Sequence, residues 1–156
     1  ETLAAMRALW ALPPYEKGSG VPGASFHGEF FDFDDVWSEP RPLRPGGVPI
    51  HIGGHSEAAA RRCGRLGDGF HPLGLDDDLL VERWQLARRV AEEHGRDPDA
   101  MELSVTVGLG SLDPATVERF AALGVHRMVC STAVADLDRL SDELSAAAAG
   151  VGLVAA

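Results

Sequence analysis

The chain has 156 residues, 45% of them hydrophobic, which suits one domain with a real core and argues against a disordered polymer. Its formal charge of −10, from 24 acidic and 14 basic residues, speaks against binding nucleic acid or an anionic membrane through bulk charge. No apolar run is long enough to span a membrane and no signal-peptide pattern opens the chain, so a cytoplasmic protein is expected.

The opening ETLAAMRALWAL reads as a helix, with Leu3, Met6 and Trp10 at helical spacing. It begins at Glu1 with no capping segment before it, as if a longer protein had been cut there. Pro and Gly then dominate a passage over residues 13–47, a loop long enough to serve as a lid. Within it, SFHGEFFDFDDVW interleaves Phe26, Phe30, Phe31, Phe33 and Trp37 with polar residues. This segment reads either as a short hairpin or as an extended lid strand, and its aromatics either cover a site or pin the loop to a core.

The stretch Val48–Gly69 carries the most chemistry. Val48, Ile50 and Ile52 suit a short buried strand. Gly53-Gly54 permits a sharp turn and close approach to bare backbone. Ser56 is placed to cap the following helix and Gly67 to end it. A strand that feeds a glycine turn and a helix N-terminus is an anion site, because unpaired N–H groups and the helix dipole both favour negative charge. Gly53, Gly54, His55 and Ser56 are therefore the candidate binding residues for a phosphate, expected to be a cofactor's.

Three more strand–helix units follow. A short strand is expected near Gly69–Pro72, and a helix from Leu79 to His94 with Leu80, Trp84, Ala87 and Ala91 on its buried face. The GRDP turn leads to a strand over Glu102–Gly108. Asp113-Pro114 starts a helix that ends at Gly124. A last strand, Arg127–Ser131, precedes a helix over Asp136–Ala149. The tail VGLVAA has no clear reading. Four βα units in series predict an α/β fold with a parallel sheet and outer helices, either half of a (β/α)8 barrel or a small open sheet. Ligands gather at the carboxyl ends of such strands, here rich in Gly, Ser and His.

That rim holds no close pair of carboxylates, so catalytic residues cannot be named. His51, His55 and His71 invite a metal reading, but His51 and His55 share a side only if the backbone stays extended through the glycines. No metal site is expected. Arg61, Arg62 and Arg65 read as a solvated helix face, or as a basic patch for an oligoglutamate tail. Cys63 and Cys130 read as two buried, reduced thiols.

Taken together, ETLAAMRALW, FHGEFFDF, the Pro40–Pro42 pair, PIHIGGHS, RRCGRLGDGF, GRDP and GVHRMV occur in an order that resembles the C-terminal half of luciferase-like flavin enzymes. It is most similar to the branch that uses the deazaflavin coenzyme F420. The resemblance implies a TIM barrel whose N-terminal half, with the usual acid–base candidates, lies outside this chain. It places Gly53, Gly54, His55 and Ser56 on the cofactor phosphate, and gives Asp68 in the Asp68-Gly69 turn a structural role. The implied activity is hydride transfer between the deazaflavin and a small organic substrate. The alternatives are an FMN-dependent monooxygenase of the same superfamily and a non-catalytic module for a phosphate ligand. A half-barrel alone would expose two strand edges, so the chain by itself is expected to be inactive and prone to associate, as a homo-oligomer or aggregate.

Overall fold

The computed structural model describes residues 1–153, so the last three residues of the tail lie outside the described residues. The chain divides into two compact units, Glu1–Pro49 and a second that begins at Ile50.

In the first unit, α1 (Thr2–Trp10) forms where the apolar spacing predicts it. Glu1 precedes it, but its side chain does not cap it. The Glu1 carboxylate instead accepts N–H bonds from Glu29, Phe30 and Phe31 at 3.1, 2.7 and 2.7 Å. Desolvation raises this carboxyl's pKa, yet the three backbone bonds outweigh it and hold the group below the usual carboxylate value. The three donors sit at the turn joining β1 (Ala24–His27) to β2 (Asp32–Val36), which pair antiparallel. The aromatic segment is thus a hairpin rather than one extended strand. Its Phe26 and Phe33 are register partners and stack with centroids 6.1 Å apart, while Phe30 stays exposed at the turn.

The second unit runs β3 (His51–Gly53), α2 (Glu57–Leu66), β4 (Gly69–His71), α3 (Asp77–Glu93), β5 (Glu102–Gly108), α4 (Pro114–Ala122), β6 (Arg127–Ser131) and α5 (Leu137–Gly150). All four strands are parallel, in the order β3-β4-β5-β6, so β3 and β6 are the outer strands. Each helix starts on a side-chain cap. Ser56, Asp76, Asp113 and Asp136 accept from the N–H groups of Ala59, Leu79, Thr116 and Arg139.

Two expectations need correction. The strand expected from Val48 begins at His51. Pro49 has no N–H for a ladder, and the N–H of Ile50 is drawn off at 2.9 Å by the Asp68 carboxylate instead of a strand partner. Of the two thiols expected to be buried, only Cys63 is; Cys130 is exposed on the outer strand β6.

Alternation sets what each sheet face carries. Ile52, Phe70, Leu103, Val105 and Val107 are buried on the helix side. There they join Ala59, Ala60 and Cys63 of α2 with Leu80, Trp84, Ala87, Val90 and Ala91 of α3, including the four α3 positions that spacing singles out. Burying each large side chain among these contributes roughly 1.5–3 kcal/mol. The opposite face carries His51, Gly69, His71, Glu102, Ser104 and Thr106. Small residues bring α2 against α3, and at Gly64 an added Cβ would overlap the Ala87 carbonyl oxygen, which belongs to rigid backbone. Gly64→Ala is expected to lower unfolding stability by about 1–3 kcal/mol in a denaturant titration; an unchanged midpoint would show that the helices yield.

The cysteines give a second check. Cys63 donates to the Gly69 carbonyl at 3.2 Å, and burial pushes its thiol up to about 12. A thiol reagent should therefore titrate Cys130 alone in the native protein and both cysteines after unfolding. Rapid native labelling of Cys63 would contradict this packing.

Candidate functional site

The strand-to-helix turn after β3 is built as a cradle of bare backbone. Gly53 ends the strand, and Gly54 adopts φ +118°, a conformation side-chain-bearing residues rarely take. A Cβ at Gly54 would also stand 3.0 Å from the Ala59 methyl. His55 and Ser56 are exposed on the rim. The Ser56 hydroxyl accepts the Ala59 N–H at 3.2 Å, and the Ser56 carbonyl accepts that of Ala60 at 3.1 Å. Among the described residues, the N–H groups of His55, Ser56, Glu57 and Ala58 take no hydrogen-bond partner. The four candidate residues are thus contiguous on one open turn at the positive end of a helix. Glu57, the acidic residue in the first turn of α2, opposes an anion there.

The far end of the same helix is closed by a residue that sequence reasoning missed. Arg96, in the GRDP turn, donates to the carbonyls of Cys63, Gly64 and Gly67 at 3.2, 2.6 and 2.5 Å. It also faces Asp68 at 3.7 Å. These carbonyls cluster at the α2 C-terminus, where the Cys63 carbonyl also accepts the Gly67 N–H at 2.7 Å, and a guanidinium fork suits them. The Asp68 carboxylate holds the N–H of Ile50, and the Asp68 N–H donates to the Ile50 carbonyl at 2.7 Å. Asp68 therefore ties the entry of β3 to that of β4, which is a structural role.

His51 and His71 do not converge on a metal. No group of three or more His, Cys, Asp or Glu residues among the described ones is arranged to hold one. The two rings instead meet at Ser104, whose Oγ lies 2.8 Å from the Nδ1 of each. The Nε2 of His71 lies 2.9 Å from Thr106 Oγ1, and that of His51 faces Glu102 at 3.6 Å. Glu102 in turn holds Arg127 at 2.9 Å, which lowers the Glu102 pKa. The His51 ring lies over Gly69, where a Cβ would come within 2.5 Å of it. Ser104 and Thr106 were missed as site residues. The signal that marks them is strict alternation in ELSVTVG, unusual for a parallel strand covered on both faces. Arg61, Arg62 and Arg65 are exposed along α2, as expected of a solvated face.

Burial pulls the His51 pKa below its ordinary 6.5, against the opposing pull of Glu102. The folded protein therefore binds fewer protons at His51 than the unfolded chain does, and this contribution to stability, present above pH 6.5, is lost as the pH falls through the folded pKa. His51→Gln is expected to flatten the loss of stability on acidification, read from denaturant midpoints on both sides of that range. An identical slope in both proteins would contradict the assignment.

The sequence matches the luciferase-like monooxygenase family over residues 1–115, and the chain belongs to that family. It is 39% identical over 103 residues to an uncharacterized protein of Mycobacterium tuberculosis. That match takes in 66% of this chain and 31% of the relative, so the chain spans about a third of the length of the curated relatives it matches. Among solved structures, an F420-dependent secondary alcohol dehydrogenase in complex with an F420–acetone adduct superposes with a TM-score of 0.70 at 17% identity. The superposition covers 96% of this chain and 59% of that one. A riboflavin lyase with modified FMN and riboflavin superposes with a TM-score of 0.54 at 18% identity, over 78% of this chain and 30% of the other. At these identities the likeness establishes the fold.

Proposed function

We propose that this chain is the C-terminal half of a luciferase-like (β/α)8 barrel, with residues 13–47 as its lid. Its α2 N-terminus holds the phosphate of a deazaflavin cofactor of the F420 type. The observation that carries this reading is the run of four unpartnered N–H groups, His55 to Ala58, beside Gly54 at the carboxyl edge of the sheet. A phosphate fits there because its oxygens would meet backbone donors and a helix dipole with no side chain in the way. Family membership supplies the class, and the 0.70 superposition on an F420-dependent dehydrogenase supports the deazaflavin branch.

When bound, such a cofactor supplies hydride chemistry on an organic substrate. This chain contributes the grip and the floor of the site. Gly53 and Gly54 give close access, the amides of His55 and Ser56 bind, and the Ser56 cap with Arg96 holds α2 rigid at both ends. The reaction's remaining groups belong to the other half of the barrel. FMN is the second reading, favoured by the riboflavin lyase superposition. We further propose that the chain alone has no turnover and self-associates through the outer edges of β3 and β6.

Fluorescence titration of the full-length protein with F420 and with FMN separates these readings. Binding of F420 at micromolar concentration, with FMN much weaker, is expected, and binding of neither at tens of micromolar would refute the proposal. Gly54→Val should weaken binding at least tenfold. Glu57→Gln, which removes the opposing charge, should tighten it roughly two- to fivefold, in line with about 0.3–1 kcal/mol for a charge at a helix end.

A further inference from the structure

The polar face of the sheet carries a continuous line of hydrogen-bonding groups that neither the phosphate cradle nor the core employs. Its members are Glu102, His51, Ser104, His71 and Thr106, with separations of 3.6, 2.8, 2.8 and 2.9 Å along the line. Glu102 and His51 lie at the amino ends of their strands. His71 ends β4, and Thr106 lies two residues before the end of β5. The line thus climbs from the floor of the sheet to the rim where ligands of such folds bind. Its middle member, Ser104, is 1% exposed, while Thr106 is exposed. Barrel interiors are ordinarily filled by branched apolar side chains, so a polar line here needs a reason.

Ser104 decides how the line works. Its hydroxyl has one proton and stands equally close to two Nδ1 atoms, so it donates to one ring and accepts from the other. The Phe70 carbonyl is a competing acceptor for that one proton, but at 3.3 Å it is farther than either ring nitrogen. The tautomers of the two histidines are therefore coupled through a single oxygen. With Nδ1 of His51 protonated, Ser104 donates to His71. His71 then carries its proton on Nε2 and donates to Thr106, whose own O–H is free to point outward. With Nδ1 of His51 bare, every one of these bonds reverses.

We propose that this line is a proton relay, which delivers a proton through the Thr106 hydroxyl to an oxygen at the rim and takes it back in the reverse reaction. In the loaded state His51 is protonated on both nitrogens, with Nε2–H toward Glu102. On delivery, the Thr106 proton passes to the acceptor oxygen, His71 Nε2–H passes to Thr106, Ser104 O–H to His71 Nδ1, and His51 Nδ1–H to Ser104. One proton leaves, each intermediate group keeps its proton count, and His51 ends neutral. The charged and titratable groups facing His51 are Glu102, Arg127, His71 and Asp68. Glu102 favours the loaded state, while burial and Arg127 keep it from being too stable to discharge. The acceptor is a substrate oxygen that becomes basic as its carbon is reduced, and in this the inference rests on the oxidoreductase reading above.

The test is the tautomeric state of both rings, read by long-range 1H–15N spectra of the 15N-histidine-labelled full chain from about pH 5 to about pH 8. At the basic end His71 is expected to carry its proton on Nδ1. As His51 takes up a proton, the proton of neutral His71 should move from Nδ1 to Nε2. Ser104→Ala should abolish this switch, with the His94 and His126 signals unchanged as a check on folding. Should Ser104→Ala fail to fold, His51→Gln serves the same end, since His71 should then keep one tautomer at every pH. A His71 tautomer that stays fixed in the parent protein, or that still switches in either variant, would overturn the relay. The spectra require no cofactor, so a failed cofactor titration leaves this result standing, and a bound cofactor beside uncoupled rings refutes the relay alone.

Discussion

Side chains of β5 change face at every residue, and that parity governs most of what this protein can do. Leu103, Val105 and Val107 point one way and make the core with α2 and α3; Glu102, Ser104 and Thr106 point the other. A slip of one residue would put the charged and hydroxyl groups under the helices and the aliphatic ones on the polar face. The neighbouring strands obey the same parity. Phe70 is fully buried toward the helices, while Gly69 and His71 face His51 and Ser104. Gly69 follows from this directly, because the His51 ring fills the space its side chain would need.

The two ends of α2 show how one element serves stability and function by opposite treatments. At its C-terminus the carbonyls of Cys63, Gly64 and Gly67 all accept from Arg96, a side chain delivered from the turn before β5. At its N-terminus only the Ala59 amide is capped, by Ser56, and the donors before it stay open. On the proposal that a phosphate binds there, its donors are already in place on an anchored helix before it arrives. That keeps the entropic cost of binding low.

Local rules made much of this legible. Caps, glycine stops and apolar spacing placed the helices, and the segments between turn residues placed β5 and β6 at their observed bounds. The ordered motifs pointed to the family that the wider comparison then identified. The contiguity of Gly53 to Ser56 on one turn was readable for the same reason, since four adjacent residues need no tertiary information. What escaped were contacts between residues distant in sequence. Arg96 lies 32 residues from Gly64, and Ser104 lies 53 from His51. Nothing local marks such partners, although the alternation in ELSVTVG did mark a polar face. The Cys130 correction has a similar origin, because strand propensity alone does not tell a covered strand from an outer one.

We propose that the open amides at the start of α2 receive a phosphate. A crystal structure of the full-length protein with its cofactor bound tests it most directly. Phosphate oxygens are expected within hydrogen-bond distance of the His55 and Ser56 nitrogens, with Gly54 still at positive φ. A phosphate held elsewhere, with water alone on those nitrogens, would contradict it.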